Sequence, residues 1–242
     1  MKKPFLCLFL LSLVSCSQQD DAAIEKNGAV IADPSTYLRT VADPAENSAN
    51  PFDLAGKVHD ELFQLYFAQP VAPFSITSMA SQIETLASLN KNFQRLNGAN
   101  VPRTTATKTQ AYSGHEACGV ADAITTSSLG VAAKASLTAF TSTILLMNSG
   151  TSDYDAFYTY IETYESGVLA NSQFTAGEKE RLLTVSSICR YSAYRGRKKP
   201  KKNDDPDWDY LVLSLAGSID GAEQNTAESV VTSLTAGIFQ NH

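Results

Sequence analysis

Residues 175–192 read TAGEKERLLTVSSICRYS, and this stretch decides the fold class. Thr175 and Glu178 stand three positions apart, as in a capping box, where a hydroxyl and a carboxylate cap the first turn of a helix. The apolar residues that follow recur at helical spacing, at Leu182, Val185 and Cys189. The pattern therefore predicts an amphipathic helix.

Patterns of the same kind lie on both sides of this stretch. They cover residues 50–69, 75–97, the second half of 115–149, 152–169 and 207–239, the last as one helix or a helix pair. Residues 99–114 have no period and predict a loop. No run alternates apolar and polar residues as a strand would. We therefore expect an all-α fold, with a single domain of about six helices over residues 50–242.

Two glycines predict close packing within the last of these segments. Gly217 and Gly221 stand four residues apart, with Ala216 and Ala222 beside them. Residues at this spacing share one face of a helix. We expect that face to lie against a neighbouring helix.

The first residues have the form of a bacterial lipoprotein signal. Lys2 and Lys3 precede about ten mostly apolar residues, and Leu13-Val14-Ser15 then leads into Cys16. The run is shorter than the roughly 20 residues that span a bilayer. We expect residues 1–15 to be a signal peptide and Cys16 to carry lipid (palmitate); the alternative is an ordinary secretory leader in which Cys16 has no role.

Residues 16–49 predict a flexible tether between this lipid and the domain. They are polar and acidic, and Asp33-Pro34 and Asp43-Pro44 disfavour helix. The expected location is the bacterial outer membrane, with the domain on the periplasmic or the cell-surface side. The membrane would be one partner, through the lipid anchor, and an unknown protein or envelope component the other.

Charge and cysteine content narrow the function classes. The formal net charge is −6, which disfavours nucleic-acid binding because neutralising phosphates requires a basic surface. Cys118 and Cys189 are the two cysteines that remain after Cys7 leaves with the leader and Cys16 is lipidated. In an exported chain they predict either one disulfide or two buried thiols.

Several segments resemble uncharacterised exported lipoproteins of Bacteroidetes-type bacteria. The matching residues are Asn50-Pro51-Phe52-Asp53 with Gly56 and His59, the segment 158–169, and the segments 178–183 and 186–192. They cover about a third of the chain, and none is a catalytic signature. The resemblance implies an envelope location and a helical fold, and it implies no activity.

His59-Asp60-Glu61 is the one cluster with ligand-like chemistry. A metal site would need further ligands from other helices, and the remaining histidines are His115 and the terminal His242. We therefore expect no metal, no cofactor and no catalytic residue, with His59 bordering the core. A hydrolase that uses His59 and nearby acidic residues is the alternative.

Three further residues are candidate ligand contacts. Arg190 and Tyr194 predict either a buried charge network or a cation–π stack, and Trp208 lies among acidic residues. Six cations from Arg195 to Lys202 and four acids from Asp204 to Asp209 form a strongly charged loop. This loop predicts either a solvated connection or a surface for anionic lipid headgroups. We expect its six cations to be exposed, because they cannot all be neutralised within the domain.

The sequence as a whole favours a binding or envelope-structural module over an enzyme. No Gly-x-Ser-x-Gly element and no phosphate-cradling glycine loop is present. Besides the hydrolase, helices rich in glycine and alanine leave a toxin or immunity-type role as a further alternative.

Overall fold

The computed structural model describes residues 43–70, 75–103, 105–110, 116–149, 153–196 and 206–239. The side chains of 107, 108, 110, 116–118 and 206–209 lie outside this description. The described residues form helices, turns and loops without a strand, and their helices belong to one compact unit. The prediction of an all-α fold is confirmed.

The helices run in chain order as follows: α1 Asp53–Phe67, α2 Ile76–Leu89, α3 Thr105–Gln110, α4 Glu116–Thr126, α5 Val131–Ser149, α6 Tyr154–Ala170, α7 Ala176–Gly196, α8 Pro206–Ala222 and α9 Thr226–Phe239. A single 3-10 turn, Phe93–Arg95, follows α2. Helix α7 begins with the predicted capping box, because the Glu178 amide donates to Thr175 Oγ1 and the Thr175 amide to Glu178 Oε2.

The described residues contain more helices than the six or so predicted. Residues 116–149 form two helices, separated at Ser127–Gly130, and the short helix α3 lies within the segment predicted to be a loop. Threonine is a weak helix former because its branched side chain loses rotamers in a helix. Packing against α9, α2 and α8 holds α3 in place. Such long-range contacts leave no periodic pattern of apolar residues in the segment itself.

Helix α9 lies at the centre of the unit. It packs against α8, α1, α2, α3 and α7, and all its residues from Thr226 to Ile238 are buried. Val230, Leu234 and Ile238 form one apolar stripe along it, at helical spacing. Its other faces carry Ser, Thr, Ala and Gly, and these are buried because their small side chains let the neighbouring helices approach closely.

The predicted close contact at Gly217 and Gly221 is confirmed, and the neighbour is α9. A Cβ atom at Gly221 would lie 2.5 Å from the Glu228 carbonyl oxygen, and one at Gly217 would lie 2.7 Å from that of Thr232. Hydroxyls bridge the same interface, since Ser229 Oγ donates to the Ser218 carbonyl oxygen at 2.8 Å. Backbone therefore lies against backbone along this helix pair.

No helix in the described part of the chain has both the length and the apolar character needed to cross a membrane.

Candidate functional site

A fully buried arginine is the centre of a polar cluster that joins α1, α6 and α7. Arg190 on α7 is 0% exposed. Its guanidinium donates from Nη1 to Glu165 on α6 and from Nη2 to Asp53 at the start of α1. Its Nε donates to the Ala45 carbonyl oxygen at 2.7 Å. We call Asp53, Glu165 and Arg190 the Arg190 cluster.

Neutral donors complete the hydrogen bonding of Glu165, which is also 0% exposed. Asn47 Nδ2 donates to Oε2 at 2.6 Å, and Asn50 Nδ2 donates to Oε1 at 2.8 Å. The Ser186 hydroxyl donates to Oε1 at 2.9 Å. Because a buried charge is tolerated only when it is paired and hydrogen-bonded, these contacts explain how a carboxylate can lie inside the domain.

The same contacts fix residues 43–50 to the helices. Ala45 is fully buried, and Asn47 and Asn50 are nearly so. Two tyrosines of α6 add bonds to this segment, with Tyr158 donating to the Glu46 carbonyl oxygen at 2.8 Å and Tyr154 to that of Pro44. The structure therefore places residues 43–49, predicted to belong to the tether, within the folded unit.

The Arg190 cluster contains two carboxylates and one guanidinium. Burial raises the pKa of Asp53 to about 6, although Arg190 favours its ionised form. Burial opposes the charge on Arg190, but Glu165 and Asp53 outweigh it, and the pKa of Arg190 is raised. Asp53 therefore takes up a proton at a higher pH than an exposed aspartate does, because burial disfavours its ionised form. The cluster stabilises the fold, and its carboxylates are bound to Arg190; Asp53 is the member in contact with solvent, with 13% of its side chain exposed.

His59 lies in a second buried polar cluster, which contains no full charge. It is 1% exposed, and its Nε2 lies 3.2 Å from Ser233 Oγ on α9. Ser233 Oγ donates its proton to the Ser214 carbonyl oxygen at 2.8 Å. Since a hydroxyl has one proton, His59 Nε2 is the donor to Ser233. We call His59 and Ser233 the His59 pair.

This geometry is unsuited to catalysis by His59. A general base must accept a proton from its nucleophile, whereas His59 donates one to Ser233. Burial also lowers the pKa of His59 to about 4, so that the ring is neutral at pH 7. The expectation that His59 borders the core is met by this placement. Among the described residues, no group of three or more His, Cys, Asp and Glu side chains is arranged to hold a metal ion.

Arg195 is not part of the exposed loop in which the sequence placed it. It lies within α7, and its guanidinium donates to Asp60 Oδ1 on α1 and packs 5.1 Å from the centre of the Phe63 ring. A cation that covers an aromatic ring and meets a carboxylate is held to the helix surface. The prediction that all six cations are exposed is therefore wrong for Arg195. The rest of that loop lies outside the described residues until α8 begins at Pro206.

The other predicted site residues are not brought together into one site. Arg190 forms the charge network rather than a ligand contact, and Tyr194 packs edge-on against Tyr154, with ring centres 4.9 Å apart. The side chain of Trp208 and the whole of Cys16 lie outside the described part of the chain.

Cys189 is a free, buried thiol. Burial raises its pKa well above the ordinary value of a thiol. The side chain of Cys118 lies outside the described residues, so the choice between a disulfide and two buried thiols stays a prediction. A protonated thiol in the core is unreactive.

Sequence reasoning missed Asp53, Glu165, Asn47 and Asn50 as members of the central cluster. One signal was present, because Glu165 lies on the stripe formed by Phe157, Ile161 and Val168, all of which are buried. A carboxylate on an apolar stripe predicts a buried cationic partner. Nothing in the sequence identifies that partner as Arg190.

A scan of the chain against protein-family models finds no match, and searches of curated proteins and of solved structures find none either.

Proposed function

We propose that the protein is an exported lipoprotein of the bacterial outer membrane, anchored by lipid on Cys16. Its helical domain then acts as a binding or structural module of the envelope rather than as an enzyme. The lipoprotein part rests on the leader sequence that ends at Leu13-Val14-Ser15-Cys16. The module part rests on the polar clusters described above.

The fastening of residues 43–50 is the observation that carries the proposal. The chain from Cys16 enters the domain through this segment, whose contacts with Arg190, Glu165 and Tyr158 are largely buried. A domain held at a membrane by its N-terminal end needs a firm attachment at the point of entry. The buried cluster supplies it, since separating the segment would remove neutral hydrogen-bond partners from the buried charges of Arg190 and Glu165.

The chemistry of the buried groups favours a module over a hydrolase. His59 donates to Ser233 and is neutral, and the Arg190 cluster is closed by its own hydrogen bonds. Neither His59 nor the buried pair of Glu165 and Arg190 presents an activated nucleophile or base to solvent, as a hydrolytic site requires, and the Asp53 carboxylate is bound to Arg190.

Lipid attachment is tested by metabolic labelling of cells with a palmitate analogue, comparing Cys16→Ser with the matched control Cys7→Ser. We expect Cys16→Ser to abolish labelling and to release the protein from membranes after a carbonate wash. Each buried methylene of an acyl chain contributes about 0.8 kcal/mol to anchoring, so loss of the chains is decisive. Cys7→Ser should leave labelling unchanged. Membrane retention of unlabelled Cys16→Ser would refute the lipid anchor.

Protease treatment of intact cells then determines which face of the outer membrane carries the domain. The residues between Arg197 and Lys202 offer a dense group of trypsin sites. Cleavage in intact cells indicates the cell surface, and cleavage only after permeabilisation indicates the periplasm.

A further inference from the structure

The turn that follows the 3-10 turn Phe93–Arg95 contains an asparagine followed directly by a glycine, Asn97-Gly98. Asn97 is exposed and Gly98 is half-buried, so water reaches the pair. Gly98 has a φ of +81°, which glycine adopts without the strain that a side chain would cause. A Cβ at Gly98 would also lie 2.1 Å from Asn225 Cγ. The fold therefore requires a glycine after this asparagine.

The Gly98 amide nitrogen is suited to attack the side chain of Asn97. The amide nitrogen that follows an asparagine is a nucleophile for the side-chain carbonyl carbon, and a side chain on the following residue hinders that attack. Glycine has no such side chain. Among the described residues, none accepts a hydrogen bond from the Gly98 amide. Neither a hydrogen bond nor a side chain of its own residue therefore holds this nitrogen back.

Two hydrogen bonds join Asn97 to neighbouring helices. Its Nδ2 donates to Glu180 Oε1 on α7 at 2.9 Å, and its carbonyl oxygen accepts from the Ala227 amide on α9 at 2.9 Å. Nδ2 is the nitrogen that leaves in deamidation. Its bond to a carboxylate stabilises the unreacted side chain, so we expect Glu180 to slow the reaction.

We propose that Asn97 is a site of spontaneous deamidation, with water as the co-reactant. The Gly98 nitrogen bonds to Asn97 Cγ, the Cγ–Nδ2 bond breaks, and the Gly98 amide proton leaves with Nδ2 as ammonia. Water then opens the succinimide ring at either of its carbonyl carbons, which gives aspartate or isoaspartate at position 97. The reaction transfers no electrons. It concerns the folded domain and does not depend on the lipid anchor.

The product replaces a hydrogen-bond donor with a carboxylate. Asn97 Nδ2 donates to Glu180, whereas an ionised aspartate only accepts. Two carboxylates then face each other beside the start of α9, and like charges that share a site repel. Isoaspartate also lengthens the backbone by one carbon and converts the carbonyl group that accepts from Ala227 into a carboxylate. Deamidation should therefore loosen the contacts of this turn with α7 and α9.

Peptide mapping after incubation in water labelled with heavy oxygen tests the site. The purified protein is kept for several weeks at neutral pH and then digested in ordinary water. Each deamidation incorporates oxygen from water, so the side chain or backbone carboxylate at position 97 should gain label. Asn225 is the internal control, because Thr226 follows it and the threonine side chain hinders the attack. Absence of label at position 97, or equal label at Asn225, would overturn the proposal.

Variants of Glu180 test its effect on the rate. Glu180→Ala removes the acceptor for Asn97 Nδ2 and should speed labelling at position 97 several-fold. Glu162→Ala, which removes an exposed carboxylate on α6, is the matched control and should leave the rate unchanged. Circular dichroism checks that both variants are folded. Equal rates in Glu180→Ala and the wild type would overturn the role of Glu180.

Asn97→Asp tests the consequence of deamidation without waiting for the reaction. This variant imitates the aspartate product and should lower the melting temperature, because its carboxylate faces Glu180. In combination with Glu180→Gln the decrease should be smaller, since the second charge is absent. A decrease of the same size with and without Glu180→Gln would show that charge repulsion is not the consequence of deamidation here.

Discussion

The Arg190 cluster and the His59 pair are both buried between helices, yet they are stabilised in different ways. The Arg190 cluster contains full charges and takes partners from α1, α6, α7 and residues 43–50. The His59 pair is neutral and needs one hydroxyl and one backbone carbonyl from the neighbouring helices α9 and α8. A buried charge therefore ties distant parts of this chain together, whereas a buried neutral group needs only a close helix contact.

Removal of the arginine should produce the largest loss of stability. Arg190→Met leaves Glu165 and Asp53 in the core without a cation, and breaking such a pair costs about 3–5 kcal/mol. The free energy of unfolding, measured with urea, should fall by this amount.

Arg195→Met is the matched control, because Arg195 also joins α7 to a carboxylate of α1. Its side chain is 28% exposed, and we expect a loss of about 1 kcal/mol or less for such a pair. Equal losses in the two variants would contradict the distinction between a buried and a surface pair.

The two clusters should also respond to pH in opposite directions. The pKa of Asp53 is raised from 3.8 to about 6 in the folded protein, so its contribution to stability is present below pH 3.8 and is lost as pH rises through 6. The pKa of His59 is lowered from 6.5 to about 4, so its contribution is present above pH 6.5 and is lost as pH falls through 4. Each effect is on the order of 3 kcal/mol at about 1.4 kcal/mol per pKa unit.

Unfolding of three proteins at several pH values between 4 and 7 separates these effects. Relative to the wild type, Asp53→Asn should become more stable as pH rises through this window. The wild type loses stability as Asp53 ionises, whereas asparagine does not ionise. His59→Gln should become less stable over the same range. Identical pH profiles for both variants would show that neither group titrates as inferred.

A smaller effect is expected where α8 and α9 pack closely. In Gly221→Ala, the new Cβ would meet the Glu228 carbonyl oxygen and the Ser229 Cα at 2.5 Å. Both are backbone atoms, so α8 and α9 must move apart, at a cost of about 1–3 kcal/mol.

Gly167→Ala is the control for this substitution. Gly167 lies inside α6, and a Cβ there would have no neighbouring atom within 4 Å. Because alanine favours helix over glycine, this variant should gain about 0.5–1 kcal/mol in thermal or urea unfolding. If Gly167→Ala lost as much stability as Gly221→Ala, the close packing of α8 and α9 would not be the reason for the loss in Gly221→Ala.

Local signals in the sequence were sufficient for the helices and for several of their ends. The capping box at Thr175 and Glu178 lies where predicted. Its cause is local, because both side chains lie within one turn of the helix that they cap. The close contact at Gly217 and Gly221 was also predictable, since small residues at helical spacing leave room for a neighbour.

Tertiary structure alone decided which polar residues meet. Asn47 and Asn50 lie more than a hundred positions from Glu165 in the chain, and nothing in their own surroundings marks them as its partners. The complete burial of α9 was hidden for the same reason, because serine and threonine suit a surface or a tight interface equally well until neighbouring helices are in place. The sequence by itself determined the helical fold, since capping and periodicity are local. The fold decided where charge is buried, because the partners that make burial favourable come from separate helices.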